Sequence, residues 1–408
     1  MKKIFLITKL RTSNLGNEAL SNEIIRLFSE INQDNIIHVA GRPMGLDGYY
    51  VNRIIRSKNP EKKLDNWADR IIRKINSESP KTLTRVVPKI ELLLQESPQL
   101  KYESFKAKLR PWKRVLSGVK VYSAAYAGRA AVLKDADWLV YSGAGEVGDY
   151  SVFLRQLLEI RVAQKMGVNT AAVNQSVVLH TPFFRRMCAH VYGKMKKIVV
   201  RGEVTSSTLQ SYGVPSSIID IAPDSAINAE YSGNVKRDKD SVGLNLTPKC
   251  KASPAQIKRI VDHLRERGKT ITFISNEPFE DNNLAEYFEK EFGIEVVRNQ
   301  ASYHDYMKKL AGFGMVISAR LHTNIMCLDV QTPIIPIEGN VFKTKELLTQ
   351  LKYPVDTIDP SKENWDVLLT ENVDAMLNGS YKTEQYFNEI LPEQKRNVKK
   401  NASWLNQL

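Results

Sequence analysis

The chain has 408 residues, of which 42% are hydrophobic and 25% charged, a composition typical of globular proteins and a length that favours two domains. No apolar stretch reaches the roughly 18 residues that cross a membrane, and the three cysteines lack zinc-binding spacing, so the sequence predicts neither a membrane span nor a metal site. The formal net charge of +14 indicates an acidic partner.

The N-terminal region has the pattern of a β-α-β unit. It predicts strands at residues 4–7 and 36–40, a polar loop at 11–17 and an amphipathic helix at 18–31. The first apolar run ends before Lys9, which makes it shorter than the roughly 7–15 residues of a secretion signal. We therefore expect a buried strand and a cytoplasmic protein, either free or peripheral at the inner face of the plasma membrane.

A basic segment interrupts the alternation of strands and helices at about residues 46–134. Between residues 51 and 120, 18 Lys and Arg face 7 Asp and Glu, a difference of +11 that accounts for most of the net charge. The segment is rich in prolines and helix-forming residues, and it predicts an insertion of helices and loops. Such a segment is either a solvated helical surface or a contact for nucleic acid, an anionic membrane or a diphosphate-linked substrate.

Strand-helix alternation resumes after the insertion and then starts again after a polar linker at residues 231–240. This pattern predicts two doubly wound, Rossmann-like α/β domains at residues 1–230 and 241–360. Helical sequence at residues 361–408 is expected to pack back across the first half. The predicted strands lie at residues 138–141, 170–173, 197–200, 218–222, 241–246, 270–275, 294–297, 315–318 and 333–337.

Ligands of open α/β sheets bind beyond the carboxyl ends of the strands, so we searched the loops there for chemistry. The most informative loop runs from Ser318 to His322 between a predicted strand and a helix. Arg320 and His322 alternate around Leu321, and free N–H groups of the helix start lie beside them. This combination predicts a phosphate or carboxylate site. The alternative is a surface ion pair at Arg320 and a capping or core histidine at His322.

Four further loops at predicted strand ends carry candidate binding residues. Arg201 follows a strand and precedes a helix, although an ion pair with Glu203 is an equal alternative. The other candidates are Gly143 and Gly145, where a backbone can approach a ligand or simply turn, and the polar triplet Asn174, Gln175 and Ser176. The last is Asp224, a carboxylate at the domain junction that is otherwise a hinge or turn residue. The glycines do not complete a dinucleotide-binding fingerprint.

Taken together, these loops resemble the motifs of the polysaccharide pyruvyl transferase family, in the same order. The matching stretches are residues 14–19 (Asn-Leu-Gly-Asn-Glu-Ala), 143–145 (Gly-Ala-Gly), 175–176 (Gln-Ser), 200–203 (Val-Arg-Gly-Glu) leading to Asp224, and 318–322 (Ser-Ala-Arg-Leu-His) followed by Lys343. The chain departs from the family where Asn17 replaces an aspartate and Ala144 replaces a glycine. Both departures lie in the N-terminal half, which is expected to hold the acceptor.

The resemblance implies a fold similar to the GT-B glycosyltransferases and transfer of a ketal-linked pyruvyl group from phosphoenolpyruvate to a sugar of a bacterial surface polysaccharide, such as an exopolysaccharide or capsule. It implies that Arg201, Arg320 and His322 hold or activate the donor. His322 is then either the general acid or a phosphate ligand. The substrate-binding set implied is Gly16, Asn17, Gly143, Gly145, Gln175, Ser176, Asp224, Ser318 and Lys343. No cofactor and no metal are expected.

The expected partners are phosphoenolpyruvate, a sugar or lipid-diphosphate-linked acceptor and an anionic membrane surface. Three alternatives stay open at this stage. A GT-B glycosyltransferase that uses a nucleotide sugar would share the fold and the cleft. A nucleic-acid-binding protein would explain the charge, but the basic segment contains no known binding module, and we expect no nucleic acid. A catalytically inactive scaffold would not need Arg201, Arg320 and His322.

Overall fold

A computed structural model shows two α/β halves built around parallel sheets. It describes residues 1–8, 14–40, 54–77, 91–92, 114–115, 119–121, 133–143, 147–149, 151–231, 233, 235–298, 300–339 and 342–407. Within these residues a seven-stranded and a five-stranded parallel sheet follow one another along the chain. This confirms the predicted fold class of two doubly wound domains.

The N-terminal sheet has the strand order β5-β2-β1-β6-β7-β8-β9, with all pairs parallel. The central strands β1, β6, β7 and β8 are largely apolar and buried, as parallel strands covered by helices on both faces must be, whereas the edge strand β9 is half-buried. The strands are β1 (Lys3–Ile7), β2 (Ile36–Ala40), β5 (Val119–Val121), β6 (Trp138–Ser142), β7 (Asn169–Gln175), β8 (Lys197–Val200) and β9 (Ile219–Ile221). The helices that flank this sheet are α1 (Leu15–Ile31), α2 (Pro60–Ser77), α3 (Ser151–Lys165), α4 (Pro182–Tyr192) and α5 (Glu203–Ser211).

The basic insertion is not purely helical, in contrast to our prediction. It contains α2, but β5 adds a parallel strand to the edge of the main sheet next to β2. A separate antiparallel pair is formed by β3 (Glu91–Leu92) and β4 (Arg114–Val115). Strands of two or three residues are too short to show a period in the sequence, which is why the pattern did not reveal them.

The C-terminal sheet has the order β12-β11-β10-β13-β14, again with all pairs parallel. Its strands are β10 (Asp238–Asn245), β11 (Thr270–Ile274), β12 (Glu295–Val297), β13 (Phe313–Ser318) and β14 (Ile334–Pro336). The helices are α6 (Pro254–Glu266), α7 (Pro278–Phe292), α8 (Tyr303–Gly312), α9 (Leu321–Asp329), α10 (Lys343–Gln350) and α11 (Trp365–Leu377). β10 begins inside the predicted linker, three residues before the expected strand.

The C-terminal segment contacts both halves. α11 packs on α6, where Arg259 pairs with the buried carboxylate of Asp366 at 2.6 Å. Beyond it, Trp404 lies against Trp138 of β6 with ring centroids 4.9 Å apart, and Asn401 donates to the carbonyl of Pro223 at 2.9 Å. The helical segments there are α12 (Thr383–Gln385), a π-helix (Tyr386–Ile390), α13 (Leu391–Arg396) and α14 (Lys400–Ser403). The last part of the chain therefore returns to the N-terminal half.

One apolar cluster runs through both halves and joins them. It combines α1 residues such as Ile24 and Phe28 with α8 and α9 residues such as Tyr306 and Ile325. Burial of this shared surface stabilises a fixed arrangement of the two sheets. Cys188, Cys250 and Cys327 are buried free thiols. No helix in the described part of the chain combines the length and the apolar character that crossing a bilayer requires.

Candidate active site

The two halves meet at the buried carboxylate of Asp224. Arg201, which directly follows β8, places its Nη2 2.6 Å from Asp224 Oδ2. His322, in the first turn of α9, places its Nε2 3.6 Å from the same oxygen. The backbone N–H of Ala226 donates to the other oxygen at 2.9 Å. A cation from the first half and an imidazole from the second thus share one carboxylate.

The charge state of Asp224 follows from these contacts. Burial by itself would raise the pKa of this carboxyl, but the Arg201 guanidinium, His322 and the Ala226 N–H together lower the pKa to about 2. Asp224 is therefore ionised at neutral pH, and its charge holds Arg201 and His322 in place. The sequence placed Asp224 at the domain junction, and the structure puts it in contact with both Arg201 and His322.

Arg320 has a different environment from Arg201 and His322. Its guanidinium binds three carboxylates at the start of α7: Glu277 at 2.8 Å, Glu280 at 3.0 Å and Asp281. Burial raises the pKa of Glu277 and of Asp281, although Arg320 opposes the rise in both. The sequence analysis missed these acids. A signal was available, because Ser275, Asn276 and Glu277 follow β11 just as the chosen loops follow their strands.

The loop before α1 contacts the second half directly. Asn14 caps α1, accepting from the N–H groups of Gly16 at 2.9 Å and Asn17 at 3.3 Å, and it donates to Glu277 at 2.9 Å. Gly16 lies so close to His322 that a Cβ on it would be 2.1 Å from the His322 Cβ. Because the Asn14 cap starts the helix, α1 begins three residues before the predicted start.

Gly143 and Gln175 form one packed unit next to Arg201. A Cβ on Gly143 would be 2.6 Å from Gln175 Nε2, and the Gly143 carbonyl accepts from Arg201 at 3.4 Å. The Gln175 amide donates to the carbonyls of Tyr141 and Val173 and accepts from Tyr192. Gln175 therefore supports the loop of Gly143 with its own polar atoms occupied. Gly145 lies outside the described residues.

Asn174 ties three loops of the first half together, and it belongs to the polar triplet that the sequence indicated at this strand end. Its backbone is left-handed, with φ +56°, a conformation that asparagine tolerates better than most residues. Its side chain donates to Ser142 at 3.2 Å and accepts from the Ser225 N–H at 2.9 Å. The loops after β6, β7 and β9 are thus held in register beside Asp224.

Ser318 and Lys343 occupy two further loops of the second half. The Ser318 hydroxyl donates to Asn245 at 3.0 Å and accepts from the Arg320 N–H at 3.1 Å, so it shapes the loop that carries Arg320 and His322. Lys343 is buried at the first position of α10. Ser318 is therefore a structural support of the loop that carries Arg320 and His322.

Several polar atoms around this junction retain binding capacity. Arg201 Nε, Arg320 Nε, His322 Nε2 and the Ser176 hydroxyl are buried without a hydrogen-bond partner in the part of the chain that the structure describes. Buried donors of this kind are normally satisfied, and clusters of them mark places where a ligand binds. No group of His, Cys, Asp and Glu among the described residues has the arrangement of a metal site. The arrangement suits an anionic ligand.

Comparisons with known proteins agree with the fold and the motifs. The family model for polysaccharide pyruvyl transferase matches residues 14–340. No curated protein matches the chain.

Three solved structures share the fold at low sequence identity. UDP-GlcNAc 2-epimerase from Methanocaldococcus jannaschii has a TM-score of 0.54 at 13% identity, with both chains covered completely. Anabaena Alr3699/HepE in complex with UDP and glucose has a TM-score of 0.55 at 8% identity over 100% of this chain and 99% of its own. S. aureus MnaA with UDP has a TM-score of 0.55 at 11% identity over 100% and 98%. The likeness confirms the GT-B-type two-domain fold.

Proposed function

The chain belongs to the polysaccharide pyruvyl transferase family, and we propose that it transfers a pyruvyl group from phosphoenolpyruvate to a sugar of a bacterial surface polysaccharide or its lipid-linked precursor. The observation that supports the proposal best is the meeting of Arg201 and His322 at Asp224, between the two sheets. Phosphoenolpyruvate carries a phosphate and a carboxylate on a three-carbon frame. Buried cations from opposite halves suit such a small double anion.

The reaction must form two C–O bonds between the central carbon of the donor and the sugar, and it must transfer one proton to the methylene carbon. A sugar hydroxyl attacks the central carbon of phosphoenolpyruvate and loses its proton to a base, while the methylene carbon gains one proton from an acid and becomes a methyl group. The C–O bond to phosphate then breaks, a second hydroxyl of the same sugar attacks, and its proton leaves with the phosphate. The products are a cyclic ketal and inorganic phosphate, with atoms and charge balanced. The protein must neutralise the leaving phosphate and deliver the proton to carbon.

His322 is assigned to one of these two tasks. As a general acid it would protonate the methylene carbon, because an imidazole exchanges protons near neutral pH. As a phosphate ligand it would neutralise the leaving group next to Arg201. Arg320 is assigned to the second anion of the donor, which it would bind through its Nε or by exchanging Glu277 or Glu280 for the ligand.

The test of the proposal is a ligand screen by thermal shift followed by an assay of phosphate release. Phosphoenolpyruvate should raise the melting temperature of the wild-type protein, whereas UDP-glucose and RNA should not. His322→Gln should lower turnover by about 10²–10⁴-fold, the usual contribution of a general acid. His263→Gln is the matched control. His263, like His322, has an aspartate beside its imidazole (Asp374, at 3.1 Å), but it lies on α6, outside the site. Wild-type turnover by His322→Gln would refute the assignment.

A glycosyltransferase that uses a nucleotide sugar is the second candidate. It is favoured by the similar structures of Anabaena Alr3699/HepE and S. aureus MnaA, which contain UDP. The same screen separates the two candidates. Stabilisation by UDP-glucose but not by phosphoenolpyruvate would replace the proposed function with this one.

We also propose that α2 brings the enzyme to an anionic membrane surface, where a lipid-linked acceptor would be found. The acidic residues of α2 are each neutralised by a basic residue of α3 or α4 at 2.6 Å: Glu61 by Arg186, Asp65 by Arg161 and Asp69 by Lys165. Basic residues of this region face solvent instead, namely Arg56, Lys62, Arg70 and Arg73. Each contributes about 1 kcal/mol to binding at an anionic surface.

Vesicle sedimentation tests this contact. The protein should bind vesicles that contain phosphatidylserine, bind neutral vesicles weakly, and lose binding at high salt. Charge reversal at Lys62 and Arg70 should abolish the difference, whereas Lys258→Glu on the exposed face of α6 should not. Equal recovery from neutral and anionic vesicles would contradict a membrane role for α2.

A further inference from the structure

Glu346 of the second half binds the start of a helix of the first half. One of its carboxylate oxygens accepts from the backbone N–H of Thr205 at 2.8 Å, and the other accepts from the Thr205 hydroxyl at 3.1 Å. The side chain is buried. Burial raises the pKa of Glu346, and the hydrogen bonds from Thr205 and the charge of Arg201 oppose that rise. The carboxylate therefore crosses between the halves at a point adjacent to Arg201.

The start of α5 is built to receive this carboxylate. Its N-cap residue is Gly202, which has no side chain to satisfy the free N–H groups at the helix start. A Cβ on Gly202 would lie 2.3 Å from Glu346 Cγ, so the close approach of Glu346 requires glycine here. Glu346 thus replaces the missing cap, and it does so from the other half of the molecule.

The two ends of this contact each carry a residue of the candidate site. Arg201 directly precedes Gly202, and Lys343 lies three residues before Glu346 on α10, which places both side chains on one face of that helix. The Glu346 contact therefore fixes the segment that carries Arg201 relative to α10 of the second half.

We propose that Glu346 is a positioning residue, which fixes the start of α5 from the other half and thereby holds the adjacent Arg201 in place for the donor. The inference rests on the proposed function, because it takes phosphoenolpyruvate as the ligand. It assigns no contact between Glu346 and the substrate. It also implies that the N–H groups at the start of α5 hold Glu346 and do not hold the donor.

Calorimetric titration with phosphoenolpyruvate tests the proposal. Glu346→Ala should weaken binding by about tenfold or more, since a small displacement of aligned groups has effects of this size. Glu346→Gln keeps an oxygen that can accept from Thr205 and should recover most of the affinity. Asp366→Asn is the matched control, because Asp366 is an equally buried carboxylate of the second half but pairs with Arg259 of α6. It should bind as tightly as the wild type.

A double-mutant cycle separates positioning from general loss of stability. If Glu346 acts through Arg201, then Glu346→Ala should weaken binding much less in an Arg201→Lys background than in the wild type. The proposal would be overturned if the fold losses in affinity of the two single variants simply multiplied in the double variant. It would also be overturned if Glu346→Ala bound as tightly as the wild type, or if Asp366→Asn weakened binding as much as Glu346→Ala.

Hydrogen exchange at Thr205 gives a readout that does not depend on the donor. Glu346→Ala should accelerate exchange of this amide by about tenfold or more, because its acceptor is gone. Unchanged exchange would overturn the contact itself. If the wild-type protein takes up no phosphoenolpyruvate but its Thr205 amide responds as expected, the proposed function fails while the contact between the halves stands.

Discussion

Asp224 is the residue whose contacts define the junction of the two halves. Its carboxylate is completely buried, and the guanidinium of Arg201 against it is 2% exposed. Removing one member of a buried ion pair leaves the other charge without compensation. The stability of the junction should therefore depend on Asp224 far more than on carboxylates at the surface.

We predict that Asp224→Asn lowers the free energy of unfolding by about 3–5 kcal/mol. Asp135→Asn, which removes the exposed partner of Lys3, should cost about 0–1 kcal/mol. Urea denaturation at pH 7 measures both. A loss for Asp224→Asn no larger than that for Asp135→Asn would contradict the assignment of a buried ion pair.

The same carboxylate predicts an acid dependence. Its folded-state pKa of about 2 lies below the value of about 4 in an unfolded chain, so its contribution is present above pH 4 and is lost as the pH falls towards 2. The wild type should lose about 2 kcal/mol more than Asp224→Asn over this interval. Parallel curves of unfolding free energy against pH for the two proteins would show that the Asp224 carboxylate makes no such contribution.

The sequence indicated individual candidate residues but not the residues that they contact. Arg201 and His322 stand out because each follows a strand, and strand ends converge in parallel sheets. Glu277 and Glu346 do not stand out, because their roles depend on the other half of the chain. Which N–H or guanidinium a carboxylate meets across a cleft depends on how two sheets dock, and no local pattern contains that information.

At the scale of elements, α1, α9 and α13 meet in a second cluster of buried charge. Glu23 of α1 binds Arg26 at 2.7 Å, and Asp329 at the end of α9 binds Lys395 of α13 at 2.5 Å. Burial raises the pKa of each carboxyl to about 7, against the opposing effect of its basic partner. The two carboxyls also repel each other when both are charged.

This cluster predicts a pH dependence of opposite sign to that of Asp224. A folded-state pKa raised above the unfolded value of about 4 stabilises the fold below pH 4, and this contribution is lost as the pH rises through about 7. The free energy of unfolding should thus fall by about 1–3 kcal/mol between pH 6 and pH 8. Asp329→Asn should flatten the decrease.

Denaturation at several pH values measures the slope, and Asp224→Asn is the control. The carboxyl of Asp224 stays ionised throughout this interval, because its pKa is about 2. That variant should therefore keep the wild-type slope. A wild-type curve that is flat or rises from pH 6 to pH 8 would show that Glu23 and Asp329 are ionised already at the lower pH.

Element boundaries show where local sequence stops being sufficient. The strands β1, β6 and β8 were predicted closely, because each is an apolar run bounded by polar residues. α7 begins at Pro278, well before the apolar pattern from residue 284 that indicated a helix. Its first turn carries Glu280 and Asp281, which bind Arg320. An acidic first turn is also typical of helix starts, and it was the signal we overlooked.

At the scale of the whole molecule, three contacts hold the halves together around the candidate site. Asp224 meets His322, Glu346 meets Thr205, and Asn14 meets Glu277. All three involve the loops and helix starts that follow strands, so the interface includes the edges that carry the candidate residues. The alternation of strands and helices predicted two domains, but it gave no indication of these contacts between them.

Gly16 provides the test of these contacts, because it is the position where backbone and side chain of opposite halves approach most closely. A Cβ there would overlap the His322 side chain, with contacts of 2.1–2.4 Å to three of its atoms. The neighbour is held by Asp224 and cannot move without breaking that contact. We predict that Gly16→Ala forces the halves apart, lowers the free energy of unfolding by about 1–3 kcal/mol and weakens phosphoenolpyruvate binding.

Gly312→Ala is the matched control, since the nearest atom to a Cβ there is 3.6 Å away, an ordinary contact. Gly312 also ends a helix of the second half, so a general effect of replacing glycine by alanine would appear in both variants. Small-angle scattering should give a larger radius of gyration for Gly16→Ala and an unchanged one for Gly312→Ala. If both variants scatter and bind like the wild type, the two halves do not meet at Gly16 and His322, and Arg201 and His322 then lack the shared position on which donor binding depends.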